Sequence, residues 1–260
     1  MIHTSAQPAI TKAMILAAGL GTRFKPWTDR HPKALAVVNG KSLLQRNIEY
    51  LQTYGIRDVV VNVHHFAGQI IEALAASKGW GSRYIISDET QEVLETGGGL
   101  QKARPFLNEG PFVLMNVDIL TDLDLSALMN DFLEHRPLAT LAVTNRPTSR
   151  YFLFDRDDKL CGWQNVQTGQ VRMADPEAAG TEGLVIGQAP PGTVQKAFSG
   201  IHVIDAAIFP LIGRQGKYSM VDVYLDLAGR QTIRGFDHSR GKLIDVGKPE
   251  SVGKAESLFP

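Results

Sequence analysis

The sequence predicts an α/β fold: a Rossmann-like, mostly parallel sheet with helices on both faces and a small β-rich excursion. Three observations carry this. Short apolar runs of strand length alternate with segments of helical period between residues 13 and 143. The first run passes directly into a glycine-rich loop, as it does where a strand ends at the ligand edge of an open sheet. Between residues 148 and 194 the alternation gives way to short β-like runs among turn signals, and it resumes afterwards.

Taken in order, residues 1–12 read as a loose leader and residues 13–257 as one domain. Residues 13–18 form a short apolar run that ends in glycines, a buried strand. Residues 42–51 read as a helix: Ser42 and Gln45 have capping-box spacing, and Leu44, Ile48 and Leu51 share a face. A strand is expected at 58–63, a helix through Phe66, Ile70 and Leu74, and a strand at 84–87. Residues 98–106 open a helix and 111–117 form the next strand; Leu125, Leu128 and Phe132 mark another helix before a strand at 139–143. Residues 148–194 carry β-like runs at 151–154 and 160–163 and end in Pro190-Pro191-Gly192, a β-rich excursion or lid, or in part disordered. Then come a strand at 198–204, a helix at 221–228 with Ser219 as N-cap, strands at 231–236 and 242–246, and a closing helix at 249–258 with Pro249 in its first turn.

Composition excludes several classes. Lys plus Arg and Asp plus Glu both number 27 in 260 residues. That balance lacks the basic excess of duplex binders, so nucleic acid is not expected as a partner. The single cysteine, Cys161, permits no internal disulfide and fits a reducing compartment. No apolar run approaches a membrane span, and the first residues lack a signal-peptide pattern. The expected location is the cytoplasm, without membrane attachment.

The densest signal is Ala17-Ala18-Gly19-Leu20-Gly21-Thr22-Arg23-Phe24-Lys25-Pro26. Glycines here let backbone N–H groups approach phosphate oxygens. Arg23 offers a planar fork of donors, and Lys33, in Pro32-Lys33-Ala34-Leu35, a second cation. A Walker A loop would end in Gly-Lys-Ser/Thr, and a dinucleotide fingerprint would place a third glycine where Phe24 stands. The competing reading is a glycine turn with surface cations. Asn116-Val117-Asp118 ends an apolar strand, where a carboxylate beside a polyphosphate suits Mg²⁺ or caps a turn.

This set resembles the signature of the sugar-1-phosphate nucleotidyltransferases: Gly-x-Gly-x-Arg, then Pro, then Pro-Lys, with later landmarks in order across about residues 13 to 257. The resemblance implies a GT-A-like nucleotidyltransferase fold. It implies that Ala17, Ala18, Gly19, Gly21 and Thr22 wrap an NTP, that Arg23 meets its phosphates, and that Lys33 lies near the α-phosphate. Asp118 matches the family's metal aspartate. Asp245, in Asp245-Val246-Gly247-Lys248-Pro249-Glu250, matches the second Mg²⁺ ligand, with Lys248 where threonine is usual. Leu94-Glu95-Thr96-Gly97-Gly98-Gly99 resembles the segment beside base and sugar, in the form carried by N-acetylmuramate-1-phosphate uridylyltransferases. It implicates Glu95 and Gly97 for the nucleotide and Gly98 for the sugar, through N–H groups left free at a helix start. Asn116 and Gly200, the latter in Phe198-Ser199-Gly200-Ile201, are further sugar-side candidates. Glu89 is either a ligand for a base N–H or an exposed loop glutamate. The family's Glu-Lys-Pro lysine is missing: Gly162-Trp163-Gln164-Asn165 stands in its place, leaving Lys196 or Arg150 to supply the charge. His64 and His65 read as structural or rim residues.

The implied reaction joins an NTP to a sugar 1-phosphate with release of pyrophosphate, UTP and N-acetylmuramate 1-phosphate being the expected pair. Alternatives are guanylyl transfer to mannose 1-phosphate, cytidylyl transfer to a phosphorylated alcohol such as phosphocholine, and a catalytically silent sugar-nucleotide-binding regulatory subunit. A dinucleotide-dependent oxidoreductase is disfavoured by the loop.

Overall fold

Met14 and Ile15 leave opposite faces of the first strand and both are fully buried, so that strand lies between two cores. The computed structural model describes residues 10–175 and 184–260. Along the chain, β1 (Lys12–Leu16) is followed by the small pair β2 (Val37–Val38) and β3 (Lys41–Ser42), then α1 (Leu43–Thr53), β4 (Asp58–Val63), α2 (Ala67–Ala76), β5 (Arg83–Asp88) and α3 (Glu95–Leu107). Next come β6 (Phe112–Asn116), β7 (Ile119–Thr121), α4 (Leu125–His135) and β8 (Ala139–Thr144). The excursion supplies β9 (Arg150–Phe154), β10 (Leu160–Asn165), β11 (Gln170–Met173) and β12 (Leu184–Ile186). The chain returns through β13 (Val194–Ile204), α5 (Met220–Ala228), β14 (Ile233–Asp237), β15 (Leu243–Asp245) and α6 (Ser251–Leu258).

Strands β5, β4, β1 and β6 lie side by side and parallel, the arrangement that βαβ connections produce. β13 adds to β6 antiparallel, β8 adds to β13 antiparallel, and β14 runs parallel to β8. Two reversals make β8 parallel to β6, so β1, β4, β5, β6 and β8 all end on one edge. Helices cover both faces as expected. Apolar stripes of α1, α2 and α4 pack on the Ile15 face, and those of α3 and α5 on the Met14 face. Truncating a fully buried member such as Ile48 to alanine would cost about 2–5 kcal/mol.

The excursion is continuous with this sheet. Residues Val194 to Lys196 of β13 pair with β9, whose antiparallel neighbours β10, β11 and β12 follow in turn, while the second half of β13 pairs with β6 and β8. Residues 1–9 of the expected leader and 176–183 of the excursion lie outside the described residues.

Local chemistry sets the element ends. Ser42 accepts from the Gln45 N–H at 3.1 Å, but the Gln45 amide donates to Glu49 instead of closing a capping box. Ser219 caps α5 as expected, and Asp124 caps α4. β1 stops at Leu16, short of Ala18, because the Ala17 and Ala18 N–H groups leave the ladder for a side chain. α3 starts at Glu95, three residues before Gly98. β7 was not visible in the sequence: it has three residues and exists through its pairing with β15.

Candidate active site

The strand ends are tied to one another before any ligand is considered. Asn62, the penultimate residue of β4, accepts the Ala17 and Ala18 N–H groups on its Oδ1, at 2.6 and 3.3 Å. Its Nδ2 donates to Glu89 Oε1 at 2.7 Å, and Glu89 Oε2 accepts the Leu94 N–H at 3.2 Å. Glu89 is 1% exposed. Burial raises its carboxyl above the usual glutamate range, against the lowering effect of the Asn62 and Leu94 hydrogen bonds. Glu89 is therefore a buried brace between β4, β5 and the start of α3, not an exposed loop residue. Asn62, given no role from the sequence, is the hinge-pin of this network; its only sequence signal is a polar residue closing an apolar run.

Beyond Ala18 the loop opens. Gly19 is exposed, and a methyl there would meet nothing within 4 Å. Gly21 differs: its φ is +60°, and a Cβ would come within 2.8 Å of Thr28 Cγ2. Its carbonyl accepts from the Phe24 N–H and the Thr28 hydroxyl, and the buried Phe24 ring plugs the turn into the core.

Acidic residues gather next to this loop. Lys33 Nζ makes an ion pair with Asp118 Oδ2, each side chain 14% exposed. β15 pairs with β7, and the Val246 N–H donates to the Asp118 carbonyl at 2.8 Å, which brings the segment holding Asp245 beside Asp118. A Cβ on Gly247 would lie 2.6 Å from Asp245 Oδ1 and 2.9 Å from Arg23 Nη2, so these two groups close around that glycine. The surrounding protein and then the Asp118 carboxylate push the Asp245 carboxyl up, while Arg23, Lys33 and Arg146 pull it down.

These elements enclose a cavity of about 460 Å³. Ala17, Ala18, Gly19, Gly21, Thr22, Lys33, Glu89, Glu95, Asn116 and Asp118 line it, as do Thr96 and Lys217, which sequence reasoning missed. Lys217 arrives from the loop before α5 and sits 3.8 Å from Glu95 across an ion pair; no local pattern marks it. Arg23 and Asp245 stand together beside the cavity, outside its lining.

Gly97, Gly98 and Gly200 are placed differently from expectation. The Gly97 and Gly98 N–H groups are not free at a helix start: both donate to the Tyr218 carbonyl, at 2.9 and 3.3 Å. A Cβ on Gly97 would be 2.5 Å from the Tyr218 ring, one on Gly98 would run into the Gly216 carbonyl, and one on Gly99 would be 2.7 Å from Glu89 Oε1. Gly97 and Gly98 let α3 lie against the 216–218 segment, and Gly99 lets it lie against Glu89, behind the cavity wall. Gly200, at φ +75°, sits in a register break of β13, where a Cβ would be 2.9 Å from Asn116 Nδ2; it supports Asn116 from below.

The stand-ins for the missing lysine are also elsewhere. Lys196 is bound to Asn145 and Asp237, and Arg150 is exposed at the start of β9. Asn165 accepts from the Gln167 N–H in a turn. His64 meets the Glu89 carbonyl and His65 the Thr28 carbonyl, both bracing backbone.

Fold and cavity together define an α/β protein whose parallel strand ends hold an anion-suited glycine loop against a pair of carboxylates. A model of the nucleotidyl transferase family matches residues 12–166. The chain is 32% identical over 252 residues to the N-acetylmuramate alpha-1-phosphate uridylyltransferase of Caulobacter vibrioides, covering 94% of this chain and 95% of that one. It is 30% identical over 250 residues to the protein of the same name from Neisseria meningitidis, covering 95% and 97%. The inositol-1-phosphate CTP transferase from T. maritima shares the fold, with a TM-score of 0.74 at 17% identity over 97% of both chains. The chain belongs to the nucleotidyl transferase family, among the sugar-1-phosphate nucleotidyltransferases that its sequence resembles.

Proposed function

We propose that the protein transfers a nucleotidyl group from an NTP to a sugar 1-phosphate, with UTP and N-acetylmuramate 1-phosphate as the physiological pair, and that it does so in the cytoplasm. The observation that carries this reading is the Lys33–Asp118 pair at the cavity floor with Asp245 and Arg23 beside it. An acceptor phosphate oxygen attacks the α-phosphorus in line; the new P–O bond forms as the bond to the β-phosphate oxygen breaks, and pyrophosphate leaves. The acceptor is already ionised at neutral pH, so no general base is needed. The barrier is repulsion between two anions, and the residues address it electrostatically.

Lys33 is held by Asp118 until phosphates compete for it; its ammonium then neutralises the α-phosphate. Arg23 stabilises charge on the departing pyrophosphate, and the loop from Ala17 to Thr22 limits the motion of the bound triphosphate. Asp118 and Asp245 form an all-oxygen donor pair whose mutual repulsion suits a divalent cation. One or two carboxylates plus phosphate oxygens is the set Mg²⁺ prefers. Bound there, Mg²⁺ supplies charge neutralisation at the phosphate. Both Glu89 oxygens already accept N–H bonds, so Glu95, exposed on the rim, is the carboxylate assigned to the imide N–H of uracil.

The test is pyrophosphate release from well-folded protein across UTP, GTP, CTP and dTTP with a panel of sugar 1-phosphates and phosphocholine, in Mg²⁺ and in EDTA. Acceptor-dependent release that EDTA abolishes is expected, with the highest kcat/KM for UTP. No release with any pair removes the enzyme reading in favour of a binding subunit; a tenfold preference for GTP changes the base and keeps the reaction.

A further inference from the structure

The cation that grips the acceptor phosphate has no obvious bearer, since Asn165, Lys196 and Arg150 are all committed or displaced. The sheet order points to another. Asn62 near the end of β4, and the 17–22 loop and Asp118 just past β1 and β6, lie along the ligand edge, and the next strand ending on that edge is β8. Two residues past its end stands Arg146.

Arg146 is half-buried. Its Nη2 donates to the Phe198 carbonyl at 2.9 Å, and its Nε is buried with no hydrogen-bond partner among the described residues. Among the described residues no carboxylate lies within salt-bridge distance of it, whereas Arg83, Arg172 and Arg214 each hold an aspartate. The Phe198 peptide that anchors it leads within two residues to Gly200, which packs on Asn116 at the cavity floor. A partly desolvated guanidinium with no carboxylate beside it is costly unless an anion completes it.

Resting on the reading above, we infer that Arg146 binds the phosphate of the acceptor sugar 1-phosphate, in place of the family lysine that this sequence lacks. With the nucleotide placed along the edge from β5 to β1, under Glu95 and the glycine loop, an in-line acceptor enters past Asp118 from the β13–β8 side, toward Arg146, which stands outside the cavity lining. The planar fork suits a phosphate better than a lysine point charge would, and the Phe198 contact sets its orientation.

The experiment is steady-state kinetics of wild type, Arg146→Ala, Arg146→Lys and, as control, Arg150→Ala, varying NTP and acceptor separately. Inorganic phosphate serves as a competitor against the acceptor. Arg146→Ala is expected to raise the acceptor KM and the phosphate Ki by about 10–100-fold while the NTP KM stays within about twofold. Arg146→Lys falls between, and Arg150→Ala behaves as wild type. Equal rises in both KM values would mean that Arg146 only supports the Phe198 strand, and an unchanged acceptor KM would show that it touches no phosphate; either overturns the assignment while wild-type turnover keeps the reaction. A wild type without turnover removes the reaction reading and this inference with it.

Discussion

Two glycine-rich segments, one lining the cavity and one behind its wall, do opposite work. At Gly19 the backbone is open: a Cβ there would meet nothing within 4 Å, and the residue lines the cavity. In Gly97-Gly98-Gly99 every missing side chain is already replaced by protein, by Tyr218, by Gly216 and by Glu89, and two of the N–H groups are taken. The first cluster makes room for a ligand and the second makes room for the chain itself. Sequence cannot distinguish them, because a glycine records that something comes close without recording what.

Three measurements break or sharpen this contrast. The largest effect belongs to the cations beside the open segment. Lys33→Ala and Arg23→Ala should each lower turnover by about a hundredfold or more with the fold intact by circular dichroism; near-normal kcat/KM in Arg23→Ala would remove its phosphate role. Next is a paired alanine scan of the two clusters. Gly98→Ala should lose about 3 kcal/mol in urea unfolding, since its methyl meets backbone that cannot move aside. Gly19→Ala should stay within about 0.5 kcal/mol of wild type while changing the KM for NTP. Equal stability losses would erase the distinction.

The smallest effect is electrostatic. The Asp245 carboxyl is pushed up in the fold, so wild-type stability is fullest below the unfolded aspartate value and falls as pH rises through the raised one. In EDTA, Asp245→Asn should therefore be more stable than wild type at pH 7, by about 0.5 kcal/mol or less given its solvent exposure, and the gain should vanish below about pH 4. Adding Mg²⁺ should raise the melting temperature of wild type and not of the variant. A gain that persists at pH 3.5 would show that charge is not its cause.

Strands β1, β6 and β15, each within two residues of its observed ends, and the helices α1 and α5 with their serine caps were legible because they rest on local rules: apolar runs, period and capping oxygens. What escaped was long-range. The two halves of β13 serve different neighbours, which no window of sequence reveals. Lys217 reaches the cavity because the Tyr218 carbonyl holds the start of α3, more than a hundred residues away in the chain. Glu89 read as either a ligand for a base N–H or an exposed loop glutamate, and it is buried because Asn62 and Leu94 supply its partners.

That last tie has a consequence for how the sequence can drift. Asn62 uses both ends of one amide, and the roles are not interchangeable: oxygen to two backbone donors, nitrogen to a carboxylate. An aspartate at 62 would set one carboxylate against another, and a leucine at 89 would strand the Asn62 amide and the Leu94 N–H. Each single step leaves a buried polar group without a partner, at a cost of about 1–3 kcal/mol. Positions 62 and 89 are therefore coupled energetically as they are joined in space. A paired replacement that restores the hydrogen bonds is expected to cost less stability than either single replacement.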